Sequence, residues 1–132
     1  MTMPLVRIDL KEGKSPEYKK TIGDVIYQAM RDTLIVPEND RFQIFTDHPL
    51  SDLSIDKNYL GILRSDDCIV IQVTLNPGRS VETKQAFYKA VADGLHEKLG
   101  LRKEDVIISL VEVSSKADWS FGNGEASYVD PR

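Results

Sequence analysis

The chain has 132 residues, of which 41% are hydrophobic and 29% charged, and its formal net charge is −4. These values are typical of a single globular domain that buries its own core, here spanning residues 1–132. The negative charge argues against a nucleic-acid surface, which needs clustered Lys and Arg. No apolar run approaches the roughly 18 residues of a membrane helix, so neither nucleic acid nor membrane is an expected partner.

The first half of the chain reads as strand, helix, strand. An alternating strand from Leu5 to Leu10 leads into a turn at Gly13. Ser15 is a good N-cap, and Pro16 suits the first helical position. The predicted helix then carries an apolar stripe with the 3.6-residue period: Ile22, Val25, Ile26, Ala29 and Met30. After a turn at Val36-Pro37, a second strand is predicted from Phe42 to Phe45.

The second half repeats this order. After a connecting segment from Thr46 to Asp67, a strand is predicted from Val70 to Leu75, followed by a turn at Gly78 and an N-cap at Ser80. The helical stripe here consists of Phe87, Ala90, Val91, Leu95 and Leu99. The last predicted strand runs from Val106 to Val111.

The two halves align without a gap, residues 6–45 against residues 71–110. The matched pairs include Gly13 with Gly78, Lys14 with Arg79, Ser15 with Ser80, and Asp40 with Asp105. Right-handed crossovers make the two strands of each half parallel. We therefore predict an α/β (α+β) fold in which two β-α-β repeats form a four-stranded sheet with both helices on one face. The other face carries enough apolar residues to favour contact with another subunit.

Cys68 is the only cysteine, so the chain forms no internal disulfide. It lies in "CIVIQV", which reads as a buried strand, and a structural thiol is expected there rather than a reactive one. No signal peptide is expected before the first predicted strand. These features favour a cytoplasmic protein.

The tail, residues 114–132, contains "ADWSFGNGEASY" and lacks helical periodicity, which is more often typical of a functional loop than of a spacer. Neither His48 nor His96 has a second ligand at metal spacing, so no metal site is predicted. The "GNG" at Gly122 lacks the strand and helix of a phosphate loop, and no cofactor is expected.

Several stretches along the chain resemble the tautomerase superfamily, and within it the malonate semialdehyde decarboxylase branch. They are "MPLVRIDLKEG", "VPENDRFQI", "DHP", "GRS", "FYK" and "ADWSFGNGEA". The resemblance implies a homotrimer that uses an amino-terminal proline. By matching motifs, Pro4 corresponds to the catalytic proline, Asp40 to an aspartate that positions or activates water, and Arg79 to an arginine that holds the substrate carboxylate. Three further residues correspond to the aromatic wall of the pocket: Trp119, Phe121 and Tyr128.

The chain departs from the decarboxylase motif at one point. The motif reads Arg-Pro-Arg, whereas this chain reads Asn76-Pro77-Gly78-Arg79. A neutral amide hydrogen-bonds a carboxylate but does not neutralise it, and charge-assisted pairs are roughly twice as strong. Asn76 is therefore expected to contact substrate while weakening decarboxylation more than tautomerisation.

The resemblance implies keto–enol tautomerisation of a small carboxylate-bearing 2-oxo acid. A free α-amine has a pKa near 8, and aromatic surroundings together with Arg79 should lower the pKa of a Pro4 amine towards 7. Pro4 would then work as general base and acid. The alternative reaction is decarboxylation or hydration of a 3-oxo acid. For Asp40, a purely structural role as a cap or turn residue stands beside the catalytic one.

All these roles of Pro4 require that it be the first residue. A start at Met3 followed by methionine removal exposes Pro4, whereas a start at Met1 leaves Thr2 and Met3 in front of it. An acylated proline has no basic nitrogen, and the preceding residues would then plug the pocket. A catalytically inactive trimeric binding module is the corresponding alternative.

Overall fold

The computed structural model describes residues 4–128, so Met1 to Met3 and the last four residues of the predicted tail lie outside the described part. Two β-α-β units follow one another along the chain. The first consists of β1 (Leu5–Lys11), α1 (Pro16–Thr33) and β2 (Phe42–His48), and the second of β3 (Ile69–Leu75), α2 (Val81–Leu99) and β4 (Val106–Glu112).

The four strands form one sheet in the order β2-β1-β3-β4. Within each unit the two strands are parallel, and β1 and β3 join the units as an antiparallel pair. The helices α1 and α2 pack against each other on one face of this sheet. The predicted fold is confirmed.

Both helices begin where the sequence predicts. Ser15 Oγ accepts a hydrogen bond from the Tyr18 amide at 3.0 Å, and Ser80 Oγ accepts one from the Thr83 amide at 3.1 Å. All five apolar residues predicted for the α1 stripe are buried, as are three of the five in α2. Cys68 is also buried. Within the described residues, neither helix is long and apolar enough to cross a membrane.

The strand β2 is longer than predicted, ending at His48 rather than Phe45. Contacts with β1 explain the extension. His48 Nε2 lies 2.7 Å from Asp9 Oδ1, and the His48 carbonyl accepts a hydrogen bond from the Glu12 amide at 2.8 Å. Pairing with β1 therefore keeps Thr46 to His48 in the sheet, although these residues have little strand pattern in the sequence.

This topology gathers four chain ends at one edge of the sheet. The parallel pairing places the starts of β1 and β2 side by side, and the antiparallel pairing places the end of β3 beside the start of β1. The end of β4 follows from its parallel pairing with β3. We call this edge the Pro4 edge.

Candidate active site

Pro4 is buried and directly precedes β1. Because Leu5 pairs with Phe42 on one side and with Thr74 on the other, Pro4 lies between the start of β2 and the end of β3. Asp40 comes two residues before β2, and Asn76 comes one residue after β3. The strand register thus brings both predicted residues to the Pro4 edge, one on each side of the proline.

Asp40 is buried, with 6% of its surface exposed, and neither carboxylate oxygen has a hydrogen-bond partner among the described residues. Its backbone amide donates to the Pro37 carbonyl at 3.3 Å, so only the main chain belongs to the turn. Burial raises the pKa of Asp40 to about 6, because a low dielectric disfavours the charged form. Among the described residues, the side chain caps no backbone amide.

Asp105, the repeat partner of Asp40, has the opposite environment. It is also buried, but its oxygens accept hydrogen bonds from the Ser65 amide and the Ser65 hydroxyl, each at 2.6 Å. The two equivalent aspartates therefore differ in their hydrogen bonding. Ser65 satisfies the carboxylate of Asp105, whereas the carboxylate of Asp40 has no partner among the described residues.

The predicted aromatic wall forms one cluster. Trp119 and Phe121 stack with ring centroids 4.9 Å apart, and Tyr128 meets Phe121 edge-on at 6.2 Å. Phe42, at the start of β2, joins them at 5.1 Å from Phe121. Phe42 is absent from the residues predicted from sequence; its position two residues after Asp40, on an exposed strand position, is the signal that could have identified it.

Asn76 and Arg79 lie where the aromatic cluster meets β3. Trp119 Nε1 donates to Asn76 Oδ1 at 2.9 Å in a buried hydrogen bond. Arg79 Nη1 donates to the backbone carbonyl of Asn76 at 2.9 Å, and Nη2 to that of Leu34 at 3.4 Å. Burial lowers the pKa of Arg79, yet an arginine remains charged near neutral pH.

Tyr128 connects the aromatic cluster with Asp40. Its hydroxyl is buried without a hydrogen-bond partner among the described residues. Burial, and then the charge of Asp40, raise the pKa of Tyr128. The seven predicted site residues therefore lie at a single edge of the sheet, where the strand register places Pro4 and where ring contacts, hydrogen bonds and charge link the other six.

The repeat places Lys11 and Lys14 at the positions of Asn76 and Arg79, but at the opposite edge. Both lysine Nζ atoms lie 3.1 Å from Asp67 Oδ1. These two lysines hold the pKa of Asp67 below its usual range. At that edge, the equivalent positions hold a carboxylate that belongs to the chain itself.

The other clusters and clefts of the described chain are weaker candidates for a functional site. Among residues 4–128, no group of three or more His, Cys, Asp and Glu side chains is arranged to hold a metal ion. A cleft of about 600 Å³ opens between α2 and β4, and none of the predicted site residues lines it. The charged groups at this cleft bind one another, since Asp93 pairs with Lys89 and Lys103 at 2.6 Å each. We therefore place the candidate site at the Pro4 edge.

Comparison with known proteins shows which family of proteins this chain matches. Two family models, both described as "Tautomerase enzyme", match residues 40–122 and residues 4–61. The probable tautomerase YusQ of Bacillus subtilis (strain 168) is 39% identical over 97% of this chain and 100% of its own length.

Two solved structures show the same fold. Malonate semialdehyde decarboxylase is 37% identical and superposes with a TM-score of 0.84 over 92% of this chain and 93% of its own. A fused 4-OT symmetric trimer superposes with a TM-score of 0.74 at 22% identity, over 91% of this chain and 93% of its own. The repeat, the sheet and the sequence matches agree, and the chain belongs to the tautomerase family of enzymes.

Proposed function

We propose that this protein catalyses keto–enol tautomerisation of a small 2-oxo acid, with Pro4 as the proton carrier once it is the first residue. The observation that carries the proposal is Asp40, a buried carboxylate with no partner among the described residues, at the edge where β1 begins. A buried polar group without partners costs free energy that a purely structural residue would not retain. The family match that begins at residue 4 agrees with this role for the proline.

Arg79 holds the substrate carboxylate in this proposal. Its hydrogen bonds to the Asn76 and Leu34 carbonyls fix the guanidinium at the Pro4 edge, and a guanidinium binds carboxylates in a planar, two-point geometry. The opposite edge gives a precedent within the same chain, because the repeat partner Lys14 and its neighbour Lys11 bind the Asp67 carboxylate. In this proposal a substrate carboxylate binds Arg79 in the same way.

Pro4 transfers the proton. As a free secondary amine it takes the proton from the enol oxygen, the oxygen becomes a carbonyl, and the prolinium returns the proton to the adjacent carbon. We expect the burial of Pro4 to lower the pKa of its amine towards neutrality, where a general base or acid is most effective. Asp40 and Tyr128 orient the enol hydroxyl or a water molecule.

The test uses protein whose intact mass shows that it begins at Pro4. The enol form of phenylpyruvate serves as substrate, and its disappearance is followed by ultraviolet absorbance. Pro4→Ala should lower kcat/KM by about 10²-fold or more, because a primary amine replaces the cyclic one. Pro16→Ala is the matched control, because Pro16 begins α1 near the opposite edge. Full retention of activity in Pro4→Ala would overturn the assignment.

Decarboxylation of a 3-oxo acid is the second candidate, favoured by the 37% identity to malonate semialdehyde decarboxylase. Assaying malonate semialdehyde in parallel separates the two reactions. The third reading, an inactive binding module, applies if the protein made from its natural gene has a mass that retains Met1 or Thr2. In that case the amine of Pro4 is acylated and neither reaction proceeds through it.

The proposed assembly is a homotrimer. Phe42, Ile44 and Val111 are between 38% and 40% exposed, and Ile44 and Val111 are on strands at the two outer positions of the sheet. Alternation along the strands places these side chains on the face opposite the helices. Exposed apolar strand residues of this kind are typical of subunit contacts.

A further inference from the structure

Asp40 is the buried residue of an otherwise exposed turn. Its neighbours Asn39 and Arg41 are exposed, and Asn39 has a φ of +67°, a left-handed conformation that asparagine adopts more readily than most residues. Asp40 itself is 6% exposed, and its carboxylate has no partner among the described residues. Burying such a group costs free energy, so contacts elsewhere must hold the turn in this conformation.

Both neighbours of Asp40 contact one tyrosine of α1. The Asn39 amide donates a hydrogen bond to the Tyr27 hydroxyl at 2.9 Å. The Arg41 guanidinium lies over the Tyr27 ring, with its central carbon 5.1 Å from the ring centroid. The residues on each side of the buried carboxylate are therefore fixed to the same side chain.

The guanidinium of Arg41 binds α1 and its own strand rather than Asp40. Its Nη2 donates to Asp24 Oδ1 at 2.8 Å, about one helical turn before Tyr27, and its Nε donates to Gln43 Oε1 at 3.3 Å. It donates no hydrogen bond to the carboxylate of Asp40. The arginine that follows the carboxylate in sequence therefore anchors the turn without pairing with the carboxylate.

We propose that Tyr27 is a positioning residue, which holds residues 39–41 against α1 and thereby keeps the carboxylate of Asp40 inside the Pro4 edge. The inference rests on the proposed function for the role of Asp40, but the position of the carboxylate can be measured independently of that function. Ionised Asp40 would gain hydration by turning outward. The two contacts of Tyr27 oppose this movement.

The first experiment removes one of these contacts. Tyr27→Phe keeps the ring under Arg41 and removes the acceptor of the Asn39 amide. Carboxyl-carbon NMR of the full chain follows the titration of Asp40, whose signal is identified by its absence in Asp40→Asn. Burial raises the pKa of Asp40 to about 6, and Tyr128, whose pKa is raised, stays protonated throughout this titration. In Tyr27→Phe the pKa of Asp40 should fall by about 0.5–1 pH unit, the range of one neutral hydrogen bond, because the ionised form then reaches water more easily.

Tyr18→Phe is the matched control. Tyr18 is also on α1 and also lies under a cation, Lys14 at 4.9 Å from the ring centroid, but at the opposite edge. This variant should leave the pKa of Asp40 unchanged. A pKa of Asp40 that does not fall in a folded Tyr27→Phe would overturn the proposal, as would an ordinary pKa near 4 in the unaltered protein.

Arg41→Gln tests the other contact and decides the matter if Tyr27→Phe does not fold. Loss of a nearby cation raises the pKa of a carboxylate, whereas release of the turn lowers it. A lower pKa of Asp40 in Arg41→Gln therefore reports release of the turn and not a direct effect of charge. An unchanged or higher pKa would contradict the anchoring of the turn by the contact between Arg41 and Tyr27.

Activity separates the positioning role from a general loss of stability. In protein beginning at Pro4, Tyr27→Phe should lower kcat/KM for enol phenylpyruvate about 2- to 10-fold, and it should cause no further loss when Asp40→Asn is already present. An equal loss in both backgrounds would overturn the proposal. If the unaltered protein has no tautomerase activity while the pKa of Asp40 still falls in Tyr27→Phe, the proposed function fails and the positioning of Asp40 by Tyr27 stands.

Discussion

Asp40 couples the candidate chemistry to the stability of the fold. Its pKa is about 6 in the folded chain and about 3.8 when exposed. Between these values the folded state binds a proton that the unfolded state does not, so stability falls as the pH rises from about 4 to 6. This raised pKa costs the folded state roughly 1–3 kcal/mol at pH 7.

Asp40→Asn removes this cost. The variant should be more stable by about 1–3 kcal/mol at pH 7, and the difference should vanish below about pH 4, where the carboxyl group is protonated in both states. Urea denaturation at pH 7 and pH 4 measures it. Catalytic activity should fall in the same variant, because an amide replaces the carboxylate that orients the enol hydroxyl or a water molecule in the proposed mechanism.

Asp105→Asn is the matched control for that substitution. Because Asp105 accepts two hydrogen bonds from Ser65, the variant should be less stable by about 1–3 kcal/mol. A stabilised Asp105→Asn or a destabilised Asp40→Asn at pH 7 would contradict the assigned environments.

The sequence predicts both aspartates equally well but not the difference between them. Asp40 and Asp105 are equivalent in the repeat, and each follows a turn. What separates them is Ser65, which belongs to the connecting segment, outside both repeats. A contact made by a nonrepeating loop leaves no periodic signal. The orphaned carboxylate therefore becomes visible only in the folded chain.

At the scale of elements, the two helices are followed by equivalent left-handed positions that different residues occupy. Gly100 ends α2 with φ of +66°, and its repeat partner Ile35, just after α1, has φ of +56°. The left-handed region costs a non-glycine residue roughly 1–2 kcal/mol, and a β-branched side chain is unusual there. Ile35 is 77% exposed, so its burial does not offset that cost.

Ile35→Gly should therefore stabilise the protein by about 0.5–1 kcal/mol, the relief of backbone strain less the added flexibility of the unfolded chain. Gly100→Ala is the matched control and should destabilise by a similar amount. Thermal denaturation measures both variants. A lower melting temperature for Ile35→Gly would show that this side chain makes a stabilising contact, for example with another subunit.

The crossing of the helices depends on a second glycine. A Cβ built on Gly94 of α2 would lie 2.7 Å from Val25 Cγ1 of α1, and a branched, buried valine has little room to move. Gly94→Ala should thus destabilise by about 1–3 kcal/mol, although alanine favours helix. Gly23→Ala should be milder, because the nearest atom is the end of the flexible Gln43 side chain. Equal costs in chemical denaturation would contradict this distinction.

Most of the helices and strands can be predicted from the sequence, because N-caps and apolar stripes depend only on residues that are close together in the chain. Ser15 and Ser80 begin both helices as predicted. The end of β2 cannot be predicted in this way, because Thr46 to His48 extend the strand through pairing with β1 and lack a strand pattern in the sequence. The same holds for the Trp119–Asn76 hydrogen bond, which joins residues 43 positions apart.

At the scale of the whole molecule, the repeat creates two related edges that the chain uses differently. At one edge, Lys11 and Lys14 bind Asp67, and Asp105 binds Ser65. At the Pro4 edge, the equivalent aspartate has no partner among the described residues. The connecting segment thus satisfies the buried aspartate at one edge and not its equivalent at the other.

The proposed assembly uses the face of the sheet opposite the helices. Leu5 pairs with Phe42 and with Thr74, and Thr74 pairs with Val111, so one row across the sheet is mainly apolar. The next row contains Ile44 and Arg7. A face that mixes apolar rows with charges is consistent with a subunit interface that retains polar contacts.

Ile44→Glu tests the proposed trimer. Ile44 is 39% exposed on this face, and a carboxylate there would be desolvated in any interface that covers it. The variant should have the mass of a monomer by light scattering, while its far-ultraviolet circular dichroism stays unchanged because the side chain is outside the core. Val81→Glu is the control, since Val81 is 78% exposed at the start of α2, on the helix side. A monomeric unaltered protein would overturn the trimer, and an undisturbed trimer in Ile44→Glu would place the interface on another surface.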